Sequence, residues 1–181
     1  MPQLADLAPA DLDEVAAMMF ASFRDLSPGW LPSVEAAREE VVAFLDRDYF
    51  TRVVRDEAGE LAGFIGGVRD YGHVWELHPI VVSANRRRRG YGRVLVADLE
   101  RHARAHGALT LQLGTSDESD RTNLFGRDLY PDIPGAIRDL TAAADHPLGF
   151  YLSLGFKVVG LTPDAEGPGK PSILMAKSLG S

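Results

Sequence analysis

Two short stretches of this sequence hold residues whose types and spacing suit chemistry. In "HVWELHPIVV", residues 73–82, alternation along an extended strand places Glu76 and His78 on one face. A carboxylate and an imidazole so placed are candidate general bases, although a lone strand histidine can equally be a hydrogen-bonded structural residue. Pro79 follows them, and proline has no N–H to give to a sheet ladder. A proline inside an otherwise central strand predicts a bulge, at which two neighbouring strands can part and leave backbone groups free.

The second stretch is "NRRRRGYGRVLVADLE", residues 85–100. Four arginines precede Gly90 and Gly92 where a helix starts. The unpaired N–H groups of a helix start and the macrodipole favour an anion, and glycine lets a ligand approach the backbone. Arginine pairs with phosphate oxygens in bidentate fashion. Taken alone, the run also fits a solvated basic turn. It is not GxGxxG, and it lacks the Lys-Ser/Thr of a P-loop. A third group, Asp117, Glu118 and Asp120, forms an acidic cluster in a polar segment.

Other arrangements are set aside. His102 and His106 are four apart, but the glutamate that an HExxH site needs after the first is missing. Cysteine is absent, which excludes disulfides, a thiol nucleophile and thiolate metal sites. No metal site is expected. One basic tetrad in an acidic chain is a poor nuclear signal.

The elements that must position these residues follow from hydrophobic spacing. The length of 181 residues, 45% hydrophobic and 25% charged, fits one globular domain over 1–181. The net charge of -7 argues against nucleic acid and for a cationic partner. The acidic N-terminus is unlike a signal peptide and no apolar run suits a membrane helix, so the expected location is the cytoplasm. A short strand over 2–8 is predicted. Asp11 then caps a helix carrying Leu12, Val15, Met18, Met19 and Phe23, and "SPGWLP" (27–32) breaks it. Ser33 opens a second helix whose apolar positions are Val34, Ala37, Val41, Phe44 and Leu45. Strand, turn near Ala58-Gly59, and strand follow, then the strand at 73–82. A helix over 91–106 ends at Gly107, and a strand over 108–115 comes next. Residues 116–145 are polar, with a short helix at 134–142. A segment that long is usually functional. A helix from Pro147 and strands at 156–161 and 172–178 complete a mixed α/β sandwich.

Arg87-Arg88-Arg89-Gly90-Tyr91-Gly92 resembles the Gln/Arg-x-x-Gly-x-Gly signature of the GCN5-related N-acetyltransferases, and the element order agrees with that superfamily. "GHVWELHPIVVSANRRRRGYGRVLVADLE", "LTLQLGTSDE", "TNLFGRDLY", "HPLGFYLSLGFKVVG" and "GKPSILMAK" look more closely like the chromosomal, dimeric aminoglycoside 6'-N-acetyltransferases. The first 70 residues resemble that group less.

This resemblance implies an α/β (α+β) GNAT fold, with a mixed central sheet, a splayed, bulged strand and flanking helices. It implies acetyl-coenzyme A as co-substrate, with its pyrophosphate on Arg87, Arg88, Arg89, Gly90, Tyr91, Gly92 and Arg93. The Ile80 amide would lie near the thioester carbonyl, and Val81 and Val82 along the pantetheine arm. Glu76 is the better base, and His78 could assist. Tyr151, in "GFYLSLG", takes the place of the tyrosine that protonates the thiolate. Phe150 and Phe156 read as core. Glu76, Asp117, Glu118 and Asp120 would hold a small cationic amine. The similar stretch reads Gly-Thr-Asp-Asp-Glu, whereas here Ser116 replaces the first acid. A homodimer is implied. The expected activity is direct acetyl transfer to a primary amine, best the 6'-amine of an aminoglycoside. The alternatives are a peptide, protein or metabolite amine, or a non-catalytic acetyl-coenzyme A-binding module.

Overall fold

The computed structural model describes residues 2–27, 29–46 and 48–180. Strand β1 (Gln3–Ala5) leads into α1 (Leu12–Phe23) and α2 (Val34–Ala43). Strands β2 (Tyr49–Arg55), β3 (Leu61–Tyr71) and β4 (Val74–Val82) form an antiparallel meander. Helix α3 (Tyr91–Ala105) crosses to β5 (Thr110–Ser116), which runs parallel to β4. Helices α4 (Ile133–Arg138) and α5 (Leu148–Ser153) precede the hairpin of β6 (Lys157–Thr162) and β7 (Ser172–Ser178). The sheet order is β1-β2-β3-β4-β5-β7-β6, so the last strand lies between β5 and β6.

Two hydrophobic cores lie on opposite faces of this sheet because strand side chains alternate. Val53 and Phe64 join Val15, Met19, Ala37, Val41 and Phe44 beneath α1 and α2. Their sequence neighbours Val54 and Ile65 join Leu95, Leu99, Leu111 and Phe156 on the α3 face. Fully burying one such large side chain stabilises the fold by about 1.5–3 kcal/mol.

The bulge lies where the proline predicts it. Ile65 faces Ile80 and Gly67 faces Leu77, so His78 and Pro79 together oppose Gly66. A Cβ on Gly66 would meet the His78 carbonyl oxygen at 2.5 Å, so only glycine fits there. The extra residue reverses the alternation of β4. Trp75 and Leu77 point into the α3 core, whereas beyond the bulge Val81 points into the α1–α2 core and Ile80 packs on the α3 side.

Several boundaries differ from the sequence reading. The first strand is shorter than 2–8. Asp11 stands before α1 but makes no side-chain cap; its carboxylate accepts from the Ala8 N–H and pairs with Arg55 at 2.7 Å. Ser33 does cap α2, its Oγ accepting from the Ala36 N–H at 3.1 Å. Val34 and Leu45, expected inside, are exposed: Val34 is the first residue of α2 and Leu45 lies beyond its last, Ala43, so neither is covered as Ala37 and Val41 are. Of the break at 27–32, Pro28 lies outside the described residues. The helix expected at 134–142 is confined to Ile133–Arg138, where Asp132 caps it through the Gly135 N–H.

Candidate active site

β4 and β5 pair only at Val74–Thr110, Trp75–Leu111 and Glu76–Gln112. Beyond that point β4 continues with β3, while β5 continues with β7 through Ser116–Ser172. The two strands therefore part past Glu76, and backbone groups on the facing edges are left for a ligand. A cleft of about 1370 Å³ opens there, reaching from the start of α3 to the loop after α1.

One end of the cleft is basic. Gly90 has φ +90°, a left-handed conformation that glycine adopts without strain, and it turns the chain into α3. The first N–H groups of this 15-residue helix have no acceptor within it. Arg87, Arg88, Gly90, Tyr91, Gly92 and Arg93 line the cleft with Ile80, Val81 and Val82. Nothing lies within 4 Å of where a Gly90 Cβ would be, and Gly92 packs against Phe150 and Val82. The arginine tetrad divides by role. Arg86 is held by Asp56 at 2.8 Å and by Glu60, so it ties this turn to the β2–β3 hairpin. Its hydrogen bond keeps the Asp56 carboxyl below its ordinary range. Arg87 Nε donates to the Val82 carbonyl at 3.3 Å, and Arg89 is not among the lining residues.

Tyr151 stands on α5 between Phe150 and Phe156, with ring centroids 5.2 and 5.8 Å away. It is 7% exposed and lines the cleft. Burial pushes its phenol above the ordinary value, so it holds its proton through the physiological range.

The other end is aromatic and acidic. Glu76 and His78 both line the cleft, as the alternation predicts. His78 Nε2 lies 3.6 Å from Glu40 Oε1 of α2. The His78 ring is 5.1 Å from that of Trp30, which makes an edge contact with Phe23 at 4.9 Å. These partners come from the first 45 residues and carry no local motif. The Phe23 and Trp30 side chains are recognisable only as apolar residues, and Glu40 as one of many helix acids.

The acidic cluster does not act as a unit. Asp117 is 1% exposed and accepts from the Arg121 N–H, the Thr122 N–H and hydroxyl, and the Ser119 N–H. Desolvation raises its pKa, but these hydrogen bonds together outweigh it and hold the carboxyl below its usual range. Asp117 thus organises the polar segment and does not line the cleft. Asp120, at φ +56°, is exposed and outside the lining as well. Of the three only Glu118 faces the cleft, joined by Glu166, which the sequence reading did not single out. His146 is buried nearby; its Nδ1 accepts from the Leu148 N–H at 3.1 Å, and burial lowers its pKa. The i,i+4 histidines His102 and His106 stack on each other at 4.1 Å, on the far side of β4 against Trp75. Among the described residues no group of three His, Asp or Glu side chains is placed to hold a metal, and no helix is long and apolar enough to cross a membrane.

Comparison with known proteins agrees with this architecture. Residues 15–130 match the acetyltransferase (GNAT) family. A crystal structure of an aminoglycoside 6'-N-acetyltransferase complexed with coenzyme A is 31% identical, with a TM-score of 0.89 over 99% of this chain and 98% of that one. The aminoglycoside 6'-N-acetyltransferase from Enterococcus faecium is 32% identical, with a TM-score of 0.86 over the same shares. The ribosomal-protein-S18-alanine N-acetyltransferase from Escherichia coli shares the fold, at 18% identity and a TM-score of 0.65 over 100% of this chain and 96% of that one. Among curated proteins no match is found. The family match, the full-length likeness and the splayed strands that open one cleft give a single conclusion: this chain belongs to the GNAT family and is an N-acetyltransferase.

Proposed function

We propose that the protein transfers acetyl from acetyl-coenzyme A directly to a primary amine of a cationic small molecule, and that this amine is the 6'-amine of an aminoglycoside. The observation that carries the reading is the charge division of one cleft, basic at Arg87, Arg88 and Arg93 and acidic at Glu76, Glu118 and Glu166. The nearly full-length likeness to two aminoglycoside 6'-N-acetyltransferases supports it.

The residues fit a coenzyme A. The helix start and Arg87, Arg88 and Arg93 suit the pyrophosphate, and the freed edge of β4 at Ile80–Val82 suits an extended arm with amide groups. Glu76 takes a proton from the acceptor ammonium, directly or through a water, so that the nitrogen lone pair can attack the thioester carbonyl. The Ile80 N–H donates to the oxygen that gains charge. As the carbon–sulfur bond breaks, Tyr151 gives its proton to the departing thiolate. His78 assists at the acceptor. With no cysteine in the chain, no thioester of the enzyme itself forms, and both substrates occupy the cleft together.

The test is coenzyme A release, followed with a thiol-reactive dye, across aminoglycosides, peptides with free N-termini and small metabolite amines. Release with 6'-amino aminoglycosides is expected. Release only with peptides or metabolites would replace the acceptor, and tight acetyl-coenzyme A binding without turnover on any amine would leave a binding module.

A further inference from the structure

The wall opposite the arginines is built partly by the loop between β6 and β7. Glu166 of this loop lines the cleft, and its Oε1 accepts from Ser116 Oγ at 2.9 Å. Ser116 ends β5 at the open mouth of the splay, so this hydrogen bond brings the carboxylate to the place where the two strands part. The loop is held in shape. The Gly169 N–H donates to Asp164 Oδ1 at 2.6 Å, and the Gly126 N–H donates to the Gly169 carbonyl at 2.8 Å.

Among the described residues neither Glu166 nor Glu118, which also lines the cleft, has an ion-pair partner, unlike other acids of the fold. Asp145, also on this wall, is neutralised by Arg121, and the buried acids Asp98 and Glu100 are paired with Arg52 and Lys177. Glu166 has only the neutral Ser116 hydroxyl as side-chain partner among the described residues. The same wall contains His146, 4% exposed, whose Nδ1 accepts from the Leu148 N–H. A cleft wall with an uncompensated carboxylate suits a ligand that bears an ammonium group.

We infer that Glu166, positioned by Ser116, is a specificity-determining residue that binds a second ammonium group of the acceptor, away from the reacting amine. The inference rests on the polyamine acceptor proposed above. It makes the enzyme favour acceptors with several amines over monoamines of similar size. Glu166 is exposed, so the contact resembles a solvent-screened ion pair, and its loss is expected to raise the acceptor KM roughly fivefold.

The experiment measures acetylation of kanamycin A, which has four amines, by the wild type, Glu166→Gln and Ser116→Ala across a range of salt. Glutamine keeps the shape and can still accept from Ser116, so folding is preserved. The expected result is a KM raised about fivefold in Glu166→Gln with kcat unchanged, together with a weaker salt dependence than the wild type, because one screened ion pair has been removed. Ser116→Ala should raise KM less. An unchanged KM and salt slope in Glu166→Gln, with a wild type that acetylates kanamycin A, overturns this inference and leaves the acceptor reading intact. A wild type that does not acetylate kanamycin A overturns both.

Discussion

The two ends of the cleft differ in charge and in the way the chain builds them. The basic end is contiguous: a bulged strand, a left-handed glycine and a helix start lie within residues 74–93, and backbone groups supply much of the binding surface. The acidic end is assembled from remote side chains: Trp30 after α1, Glu76 on β4, Glu118 after β5 and Glu166 before β7, with Glu40 of α2 behind His78. A site made of backbone geometry tolerates few substitutions, whereas a site made of separate side chains can be retuned one at a time. The fold can thus keep one donor while its acceptor changes.

That contrast orders the expected effects. Gly90→Val should be the most damaging, because a β-branched residue at φ +90° is strained at a position that lines the cleft where the pyrophosphate is proposed to bind. Calorimetry should show acetyl-coenzyme A binding lost while circular dichroism keeps the folded spectrum. Undiminished binding would mean that the basic end does not hold the pyrophosphate. Tyr151→Phe and Glu76→Gln should each lower kcat by about 10²–10⁴-fold, the range of a general acid or base. The Glu76 loss should be greatest at low pH, where the acceptor amine is most fully protonated. In the wild type, burial holds the Tyr151 proton, so deprotonation of this phenol should not produce an alkaline fall in rate near its ordinary value of 10.0. Stopped-flow rates across pH check both.

Asp117→Asn should act on the fold more than on the acceptor. Its folded-state pKa lies below the ordinary value of 3.8, so its contribution is present above that pH and is lost as pH falls through the folded value. Removing it should cost about 1–3 kcal/mol at neutral pH by denaturant melts, and the difference from wild type should shrink in acid. Acceptor KM should change little. A large KM effect without a stability loss would return Asp117 to the acceptor site. Glu118→Gln, at the cleft wall, should do the opposite at smaller scale, raising KM by about two- to fivefold with stability unchanged.

The same contrast explains what could be read from the sequence. Pro79 inside an apolar strand predicted the bulge, and the Arg-Gly run predicted the helix start, because each is a local departure from a regular pattern. Tyr151 followed from a short apolar helix and the resemblance around it. The acid cluster was legible as charge but not as direction. Asp117 and Glu118 are adjacent, yet one turns inward to four hydrogen bonds and the other faces the cleft. Glu166 sits in a glycine-rich turn like many others, and only the β6–β7 hairpin brings it to Ser116. Glu40 becomes notable only once α2 is packed against the bulge. Arg86, placed beside three other arginines, is bound to Asp56 and Glu60, and only the β2–β3 pairing reveals it.

The most direct test of a cleft shared by a polyanionic donor and a polycationic acceptor is mass spectrometry of aminoglycosides incubated with the enzyme and acetyl-coenzyme A. The account predicts a gain of one acetyl group on drugs with a free 6'-amine, located at that nitrogen by fragmentation, and none at that position on 6'-hydroxyl analogues. No gain on any 6'-amino drug, beside ready acetylation of a peptide or metabolite amine, would contradict it.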